Sequence, residues 1–285
     1  MRYVLPIALV ATALPTSPAH AQLMGPPDPR EAQFNQCLDL VIEDPARGVA
    51  NAREWLANGG SYFALHCLAF AFSKQQRWQS AADSFAQAAQ DAEAAKDERS
   101  ANLWVQAANA ALADGQPSTS IAFLDSALIS GILEGQALGL AHLDRARALV
   151  ALGELEKARA EFVLVQKHVP QDPLGWLLSA TLERRLDNLE RARADINVAL
   201  SLGPEDPDIL VEAGIISALL GNVEEARVKW QQVVTIDAPG PARVSAQEYL
   251  RQLAEMEAGE APAADQAVSQ PPVAPETVSS DRSSR

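Results

Sequence analysis

Apolar and polar residues follow one another along this chain with the period of α-helices. Residues 241–256 show the pattern clearly: Val244, Tyr249, Leu250 and Leu253 lie at near-helical spacing, with charged residues between them. Alternating runs rich in Val, Ile and Thr, which are typical of strands, are absent from the sequence. The sequence therefore predicts helices and no β-sheet.

A turn signal recurs at a fixed interval in the second half of the chain. A Gly or a polar residue is followed five residues later by Ala in residues 153–158, 187–192 and 221–226, so that each step is 34 residues. Proline marks the same step independently, at Pro173, Pro207 and Pro241. Two markers with one period indicate an internal structural repeat.

The prolines belong to a signal for the start of a helix. Asp172 precedes Pro173 and Asp206 precedes Pro207, and the same pair occurs at residues 44–45. An Asp side chain can accept hydrogen bonds from the free amides of a first helical turn, and the following Pro occupies a position where no N–H is needed. Each pair therefore predicts a new helix.

This pattern resembles the tetratricopeptide repeat family, whose unit has 34 residues and two antiparallel helices, A and B. The resemblance implies an all-α fold: a right-handed α-α superhelix of stacked helix-turn-helix repeats with a C-terminal capping helix. Small side chains are needed where helices A and B cross, because they let the backbones approach closely. The positions that match this role are Ala69, Ala81, Ala108, Ala146, Ala158, Ala180, Ala192, Gly214 and Ala226.

The resemblance covers roughly residues 30–240 and is strongest in the last three units. We expect a repeat domain over residues 30–257, with about six units and a capping helix at residues 241–256. Residues 30–59 match as a degenerate first unit, the next two units are longer than 34 residues, and residues 129–136 are typical of a loop. Residues 258–285 are rich in Ala, Pro and Ser, which predicts a disordered tail.

The first residues have the pattern of an export signal. Arg2 is followed by the apolar run of residues 4–14, and small residues at Ala19 and Ala21 predict cleavage before Gln22. The apolar run is too short for a membrane-spanning helix, which needs about 20 residues. The sequence therefore predicts a signal peptide at residues 1–21, a short linker at residues 22–29 and a periplasmic location.

The charge and the two cysteines fit an exported protein. The formal net charge is −14, and an acidic chain of this kind lacks the basic surface that nucleic acid or anionic lipid would require. Cys37 and Cys67 are too far apart for a CxxC redox motif, and we expect them to form a disulfide in an oxidising compartment, with two free buried thiols as the alternative.

Motifs for catalysis, cofactors and metals are absent from the sequence. His66, His142 and His168 are the histidines that follow the predicted cleavage site, and none lies in a known metal or nucleophile motif. No Gly-rich phosphate loop is present, and the carboxylates lie on helical faces where exposure to solvent is expected. The sequence therefore predicts a protein that is not an enzyme and binds no cofactor.

The resemblance implies that side chains of the A helices line a concave binding groove. Carried onto this sequence, the candidate groove residues are Phe63, His66, Phe70, Lys74, Asn102, Asn109, Arg147, Thr181, Arg184 and Arg185. Such a groove can hold the apolar side chains of a peptide while an arginine binds a carboxylate. A generic solvated face is the alternative interpretation of the same residues.

Two functions follow from this interpretation. The first is a non-catalytic scaffold of the bacterial cell envelope that binds a peptide or protein in the concave groove. The second is a stable accessory subunit of an envelope enzyme, secretion or cell-wall assembly complex, held by the convex face. A third, hydrolysis of a cell-wall polymer, requires a catalytic pair that the sequence does not offer.

Overall fold

A computed structural model describes residues 28–236 and 240–259 of this protein. The predicted signal peptide at residues 1–21, nearly all of the predicted linker and most of the predicted tail lie outside these described residues. Within them the chain forms helices and turns and no strand. The predicted all-α fold is therefore confirmed.

The described residues contain thirteen helices, paired as A and B helices and closed by a last single helix. Their bounds are α1 Pro29–Glu43, α2 Pro45–Ala57, α3 Ser61–Lys74, α4 Trp78–Ala94, α5 Arg99–Ala113, α6 Pro117–Ile129, α7 Gly135–Ala151, α8 Leu155–His168, α9 Pro173–Arg185, α10 Leu189–Leu202, α11 Pro207–Leu219, α12 Val223–Thr235 and α13 Pro241–Glu257. Odd-numbered helices up to α11 are the A helices and even-numbered ones are the B helices. The loop predicted at residues 129–136 is shorter and occupies residues 130–134.

The helix starts follow the aspartate–proline pairs. The Asp172 carboxylate accepts a hydrogen bond from the Leu174 amide at 3.0 Å, and that of Asp206 accepts one from the Asp208 amide at 2.9 Å. Asp44 ends α1 and caps α2, so a single residue separates these two helices. The prolines thus mark the first residues of α2, α9 and α11, as predicted.

Small residues lie at the crossings of the A and B helices. All eight alanines predicted for this role are fully buried, with 0% exposure. Gly214 is equally constrained, since a Cβ atom there would overlap the indole ring of Trp230. Gly48 plays the same part in the first pair, because a Cβ atom would overlap Val41. The small side chains therefore set the distance between the paired helices.

The stacking places the A helices on the inner side of the array. Helix α1 contacts α3, α5 contacts α7, and α9 contacts α11, whereas no consecutive pair of B helices in the described residues makes comparable contacts. Helices that meet their neighbours across repeats lie on the side toward which a stack curves. We call the solvent-facing side of the A helices the inner face.

The last helix closes the stack. Leu253 and Ala246 of α13 are buried against Trp230 and Val233 of the preceding repeat, and Tyr249 stacks on Trp230 with ring centroids 4.8 Å apart. The opposite side of α13 carries Arg251, which pairs with two glutamates of its own helix. The predicted capping helix is therefore apolar on one side and charged on the other.

Candidate functional site

The inner face carries apolar side chains that the core does not fully cover. They come from successive A helices and are half-buried: Phe70, Val105, Leu140, Leu177, Val211 and Ile215. Leu177 and Val211 occupy equivalent positions of adjacent repeats, one 34-residue step apart. These side chains form an apolar strip along this face. The 34-residue step accounts for Leu177 and Val211 but not for Leu143, one step before Leu177, which is only 4% exposed.

The structure separates the candidate groove residues by exposure. Lys74, Asn102 and Arg185 are exposed. The half-buried candidates are His66, Phe70, Asn109, Arg147, Thr181 and Arg184. Phe63 is the exception, because only 3% of it is exposed, and it cannot line an open groove.

Phe63 is covered by neighbouring helices. The ring of Phe34 in α1 lies edge-on to it with centroids 6.0 Å apart, and the guanidinium carbons of Arg30 and Arg99 lie 5.3 and 4.7 Å from its centroid. Each arginine has a carboxylate partner at 2.6 Å, Asp28 for Arg30 and Glu31 for Arg99. Phe63 is thus the centre of a cluster between α1, α3 and α5 in which both arginines are paired with carboxylates.

His66 lies beside this cluster in a largely enclosed setting. Its ring packs between Phe34 of α1 and Phe85 of α4, with centroids 4.6 and 5.8 Å away, and its Nε2 is 3.1 Å from the side-chain oxygen of Gln106. Burial lowers the pKa of His66 to about 4, although the hydrogen bond with Gln106 opposes the shift. His66 is therefore neutral at pH 7, and its ring links α3 to the three helices α1, α4 and α5.

Arg184 is held by a carboxylate of the next repeat. Its guanidinium donates two hydrogen bonds to Glu212, with N–O distances of 2.6 and 3.2 Å, and both side chains are about nine-tenths buried. Burial raises the pKa of Tyr249 in α13, and the charge of Glu212 adds to the shift while that of Arg184 opposes it. Arg184 was expected, as was Arg147, to be able to hold a partner's carboxylate, and in this structure it is already engaged by Glu212.

Arg147 has a weaker contact. Its Nη1 is 3.4 Å from the Asp144 carboxylate, three residues earlier in α7, and its side chain is 18% exposed. Thr181, at the equivalent position one repeat later, uses its hydroxyl to donate to the Leu177 carbonyl at 3.0 Å. Both residues lie on the inner face, and both have local partners.

Four carboxylates are buried, which was not predicted from the sequence. Glu161, Glu183, Asp195 and Glu212 are all less than 8% exposed, whereas a solvated position was expected for such residues. Glu161 accepts a hydrogen bond from His142 at 2.7 Å and pairs with Arg145. Burial acts to raise the pKa of Glu161, but these two partners lower it overall.

These buried carboxylates could have been predicted by comparing equivalent positions of successive repeats. Glu161 and Asp195 lie one 34-residue step apart in helices α8 and α10. Asp195 accepts a hydrogen bond from the Ser179 hydroxyl at 2.6 Å, and Ser179 lies one step after Arg145. An acid in helix B that faces a donor in helix A therefore recurs in two units, and it links the helices of each pair.

The described residues contain no group of three or more His, Cys, Asp or Glu side chains placed to hold a metal ion. His142 and His168 stack with ring centroids 6.2 Å apart, and His142 bonds to Glu161 rather than to a nucleophile. In the same part of the chain, no helix combines the length and hydrophobicity that crossing a bilayer requires.

Taken together, the paired helices and their continuous inner face define a helical-repeat protein. Residues 137–207 and 177–241 match the family described as tetratricopeptide repeat. The matched residues therefore carry tetratricopeptide repeats, which confirms the resemblance seen in the sequence for this part of the chain.

Solved structures with the same fold extend the likeness beyond those residues. The Pseudomonas aeruginosa pilF protein superposes with a TM-score of 0.63 at 14% identity and covers 78% of this chain and 97% of its own. PilW, described as a widely conserved type IV pilus biogenesis factor, gives 0.60 at 19% identity over 78% and 98% of the two chains. YrrB, described as a TPR protein with an unusual peptide-binding site, gives 0.51 at 16% identity over 69% and 96%. A search of curated protein sequences gives no significant match.

Proposed function

We propose that this protein is a non-catalytic interaction scaffold of the bacterial cell envelope that binds a peptide or protein partner on its inner face. The observation that carries the proposal is the half-buried apolar strip on successive A helices, which includes Leu177, Val211 and Ile215. Apolar side chains left partly open in a regular row suit the side chains of an extended or helical segment. Thr181 and Arg185 beside the strip supply polar contacts.

The comparisons support the binding of a segment and a place in the envelope. YrrB carries a peptide-binding site by its own description, and PilW is described as a pilus biogenesis factor. The predicted signal peptide adds an export route that agrees with such a location. The partner is expected to be a protein, since the chain is too acidic for nucleic acid.

The second candidate, a stable accessory subunit, would use the outer face. Val163 in α8 and Val228 in α12 support it, because both belong to B helices and are 53% and 50% exposed. Single exposed apolar residues are common on protein surfaces, so two separate valines support this function less than a continuous strip supports the first.

Site-specific photo-crosslinking in intact cells tests the proposal. A photoreactive residue is placed at Thr181 on the inner face or, as the matched control, at Val163 on the outer face of the adjacent repeat. We expect a discrete crosslinked partner from position 181 and none from position 163. Replacement of Leu177 and Ile215 by Ser should then abolish the crosslink, while circular dichroism shows unchanged helix content.

The opposite result has a definite meaning. Crosslinks from position 163 alone would contradict binding at the inner face and favour the accessory subunit. Size-exclusion chromatography of native extracts adds a second readout, because a permanent subunit should never migrate at the size of the single chain.

A further inference from the structure

The turn between α3 and α4 fixes an arginine over an aromatic ring. Gln76 adopts a φ of 56°, its amide donates to the Ser73 carbonyl, and the Arg77 amide donates to the Phe72 carbonyl, both at 2.9 Å. These bonds form a Schellman motif, which brings the residue after the turn back over the last turn of the helix. The guanidinium carbon of Arg77 accordingly lies 4.3 Å from the centroid of Phe72.

A second arginine reaches the same ring from the preceding repeat. The guanidinium carbon of Arg53 in α2 lies 5.8 Å from the Phe72 centroid. Phe72 is 4% exposed, whereas both arginines are exposed. The ring attracts both cations through its π face and orders them at the surface. We call Arg53 and Arg77 the Phe72 arginine pair.

The pair lacks a carboxylate of its own. Neither arginine has an acidic side chain within 4.0 Å among the residues that the structure describes. The chain has 37 acidic and 23 basic residues, yet no described acid is placed to pair with either of these two guanidinium groups.

The other end of α3 has a similar arrangement in which both arginines are paired with carboxylates. There Phe63 also lies between two arginines, Arg30 and Arg99, but each of these has a carboxylate at 2.6 Å. The two ends of one helix thus use the same aromatic support for two guanidinium groups. They differ in that the carboxylates are internal at one end and missing at the other.

The equivalent turn of a later repeat contains the carboxylate that the α3–α4 turn lacks. Between α9 and α10, Asp187 has a φ of 60° and the Asn188 amide donates to the Glu183 carbonyl at 2.8 Å, so Glu183 occupies the position of Phe72. Arg159 from the preceding B helix donates to the Glu183 carboxylate at 2.8 and 3.0 Å, and the Asn188 side chain donates at 3.0 Å. In the α3–α4 turn, Phe replaces the acid and Arg replaces the Asn.

We propose that the Phe72 arginine pair is a docking site for acidic side chains of a protein partner, separate from the inner face. Guanidinium groups bind carboxylates through two parallel N–H donors, and the stacking on Phe72 orders both groups before binding. The net charge of −14 repels acidic chains at long range, so recognition must come from this local pair. An acidic segment supplies the carboxylate that Glu183 supplies internally three repeats later.

Fluorescence anisotropy with a labelled, C-terminally amidated hexaglutamate tests the site on the intact protein. A salt concentration of about 0.15 M is suitable, because the Debye length of about 8 Å then screens the distant acidic surface more than the local contact. We expect binding of hexaglutamate and none of hexaglutamine. The double variant R53Q/R77Q should raise the Kd about tenfold or more, as the loss of a charge-assisted contact implies.

Two further variants separate the site from general charge. K96Q/K167Q removes the same charge from exposed lysines elsewhere and should leave the Kd unchanged. R53K/R77K keeps the charge but loses the planar donors, and should weaken binding several-fold. Thermal melting of each variant shows that it is folded.

Several outcomes would overturn the assignment. Equal affinity for the two peptides, or equal losses in the lysine control and the arginine variant, would show diffuse electrostatics. Wild-type affinity of the R53K/R77K variant for hexaglutamate would also show diffuse electrostatics. Binding of hexaglutamine only when its C-terminal carboxylate is free would assign the pair to chain termini rather than to acidic side chains.

Discussion

At the scale of single residues, the hydroxyl group of Ser120 is a local defect in the packing. Ser120 is 0% exposed, and its Oγ has no hydrogen-bond partner among the described residues. It lies at the helix crossing where the other repeats have a fully buried alanine, such as Ala158 or Ala192. A buried hydroxyl without a partner loses its hydration and gains nothing in return.

Ser120→Ala should therefore stabilise the protein, by about 1 kcal/mol in the free energy of unfolding. Urea denaturation monitored by circular dichroism measures the change. Ser84→Ala is the matched control, because Ser84 is also helical but its hydroxyl donates to the Ser80 carbonyl at 2.7 Å. The control should gain less than Ser120→Ala, and an equal gain in both would attribute the effect to helix propensity alone.

The stability of the protein should depend on pH through His66. The pKa of this side chain falls from 6.5 to about 4 on folding, so the unfolded chain binds a proton first as the pH decreases. Stability is unaffected above pH 6.5, decreases between that value and about 4, and changes no further through this group below it. At one pKa unit per 1.36 kcal/mol, the loss is at most about 3 kcal/mol.

Denaturation curves across this pH interval for the wild type and His66→Gln check the prediction. The glutamine cannot titrate, so the slope of stability against pH should be shallower in the variant. His142→Gln is a useful comparison, because His142 is paired with Glu161 rather than enclosed by aromatic rings. Identical slopes in the wild type and His66→Gln would show that other groups control the acid sensitivity.

The burial and role of a residue could be predicted from the sequence where one local rule applied. They could not be predicted where the residue's partners are distant in the chain. The small residues at the crossings follow from a fixed step, and the structure buries all of them. The exposure of Phe63 depends on Phe34, Arg30 and Arg99, which come from two other helices. Glu183 likewise depends on Arg159, 24 residues away. Such contacts exist only after the repeats have stacked.

At the scale of elements, α1 depends on a covalent link. Its buried residues are Cys37 and Val41, fewer than in any of the next four helices. Cys37 forms a disulfide with Cys67 of α3, and their Cα atoms are 6.2 Å apart. The bond therefore joins two successive A helices and compensates for the small apolar surface that α1 buries.

Reduction should release α1 before the other helices. Closing a loop of 30 residues stabilises the folded state by about 3.5 kcal/mol in the chain-entropy treatment. We expect hydrogen exchange in the variant with Cys37→Ser and Cys67→Ser to lose protection in α1, while α9 to α12 keep theirs as an internal reference. Uniform loss of protection would show that the bond supports the whole array instead.

The presence of the bond in the cell has its own measurement. Mass spectrometry of the protein isolated from cells without reductant should show one linked pair of peptides that contain Cys37 and Cys67. Free thiols at both positions would contradict the disulfide, and with it the oxidising compartment that the predicted signal peptide implies.

Element boundaries were best predicted where the chemistry of caps is local. The aspartate–proline pairs predicted the first residues of α2, α9 and α11, because an N-cap acts within one helical turn. The turn after α3 was harder to anticipate, since Gln76 rather than Gly takes the left-handed conformation. Its neighbours Phe72 and Arg77 acquire a common role only through that turn.

At the scale of the whole molecule, the array is a one-dimensional stack in which each unit buries the surface of the last. This explains why a 34-residue spacing was enough to predict the fold, since every unit repeats the same interface. It also explains why the exposure of the proposed binding surface was only partly predicted. The inner face is the part that stacking leaves open, and its exposure depends on which neighbours cover each side chain.

Such a stack needs an end that adds no further unit, and α13 provides it. The side of α13 that faces the last repeat packs on Trp230 and Val233, and the opposite side carries Arg251 with two glutamate partners. Leu253, on the packed side, is 9% exposed, whereas Val244 of the same helix is 67% exposed. The same substitution at these two positions therefore separates the two sides.

Leu253→Asp should detach the cap, because it places an unpaired charge against the apolar surface of the last repeat. We expect a loss of roughly 3 kcal/mol, faster hydrogen exchange in α11 and α12, and association in sedimentation experiments as Trp230 becomes accessible. Val244→Asp should change none of these. Because units contact only their neighbours, protection in α3 to α6 should survive in both variants. Cooperative loss of all protection in Leu253→Asp would mean that the molecule unfolds as one unit, and would contradict the description of the chain as a stack of separately stabilised repeats.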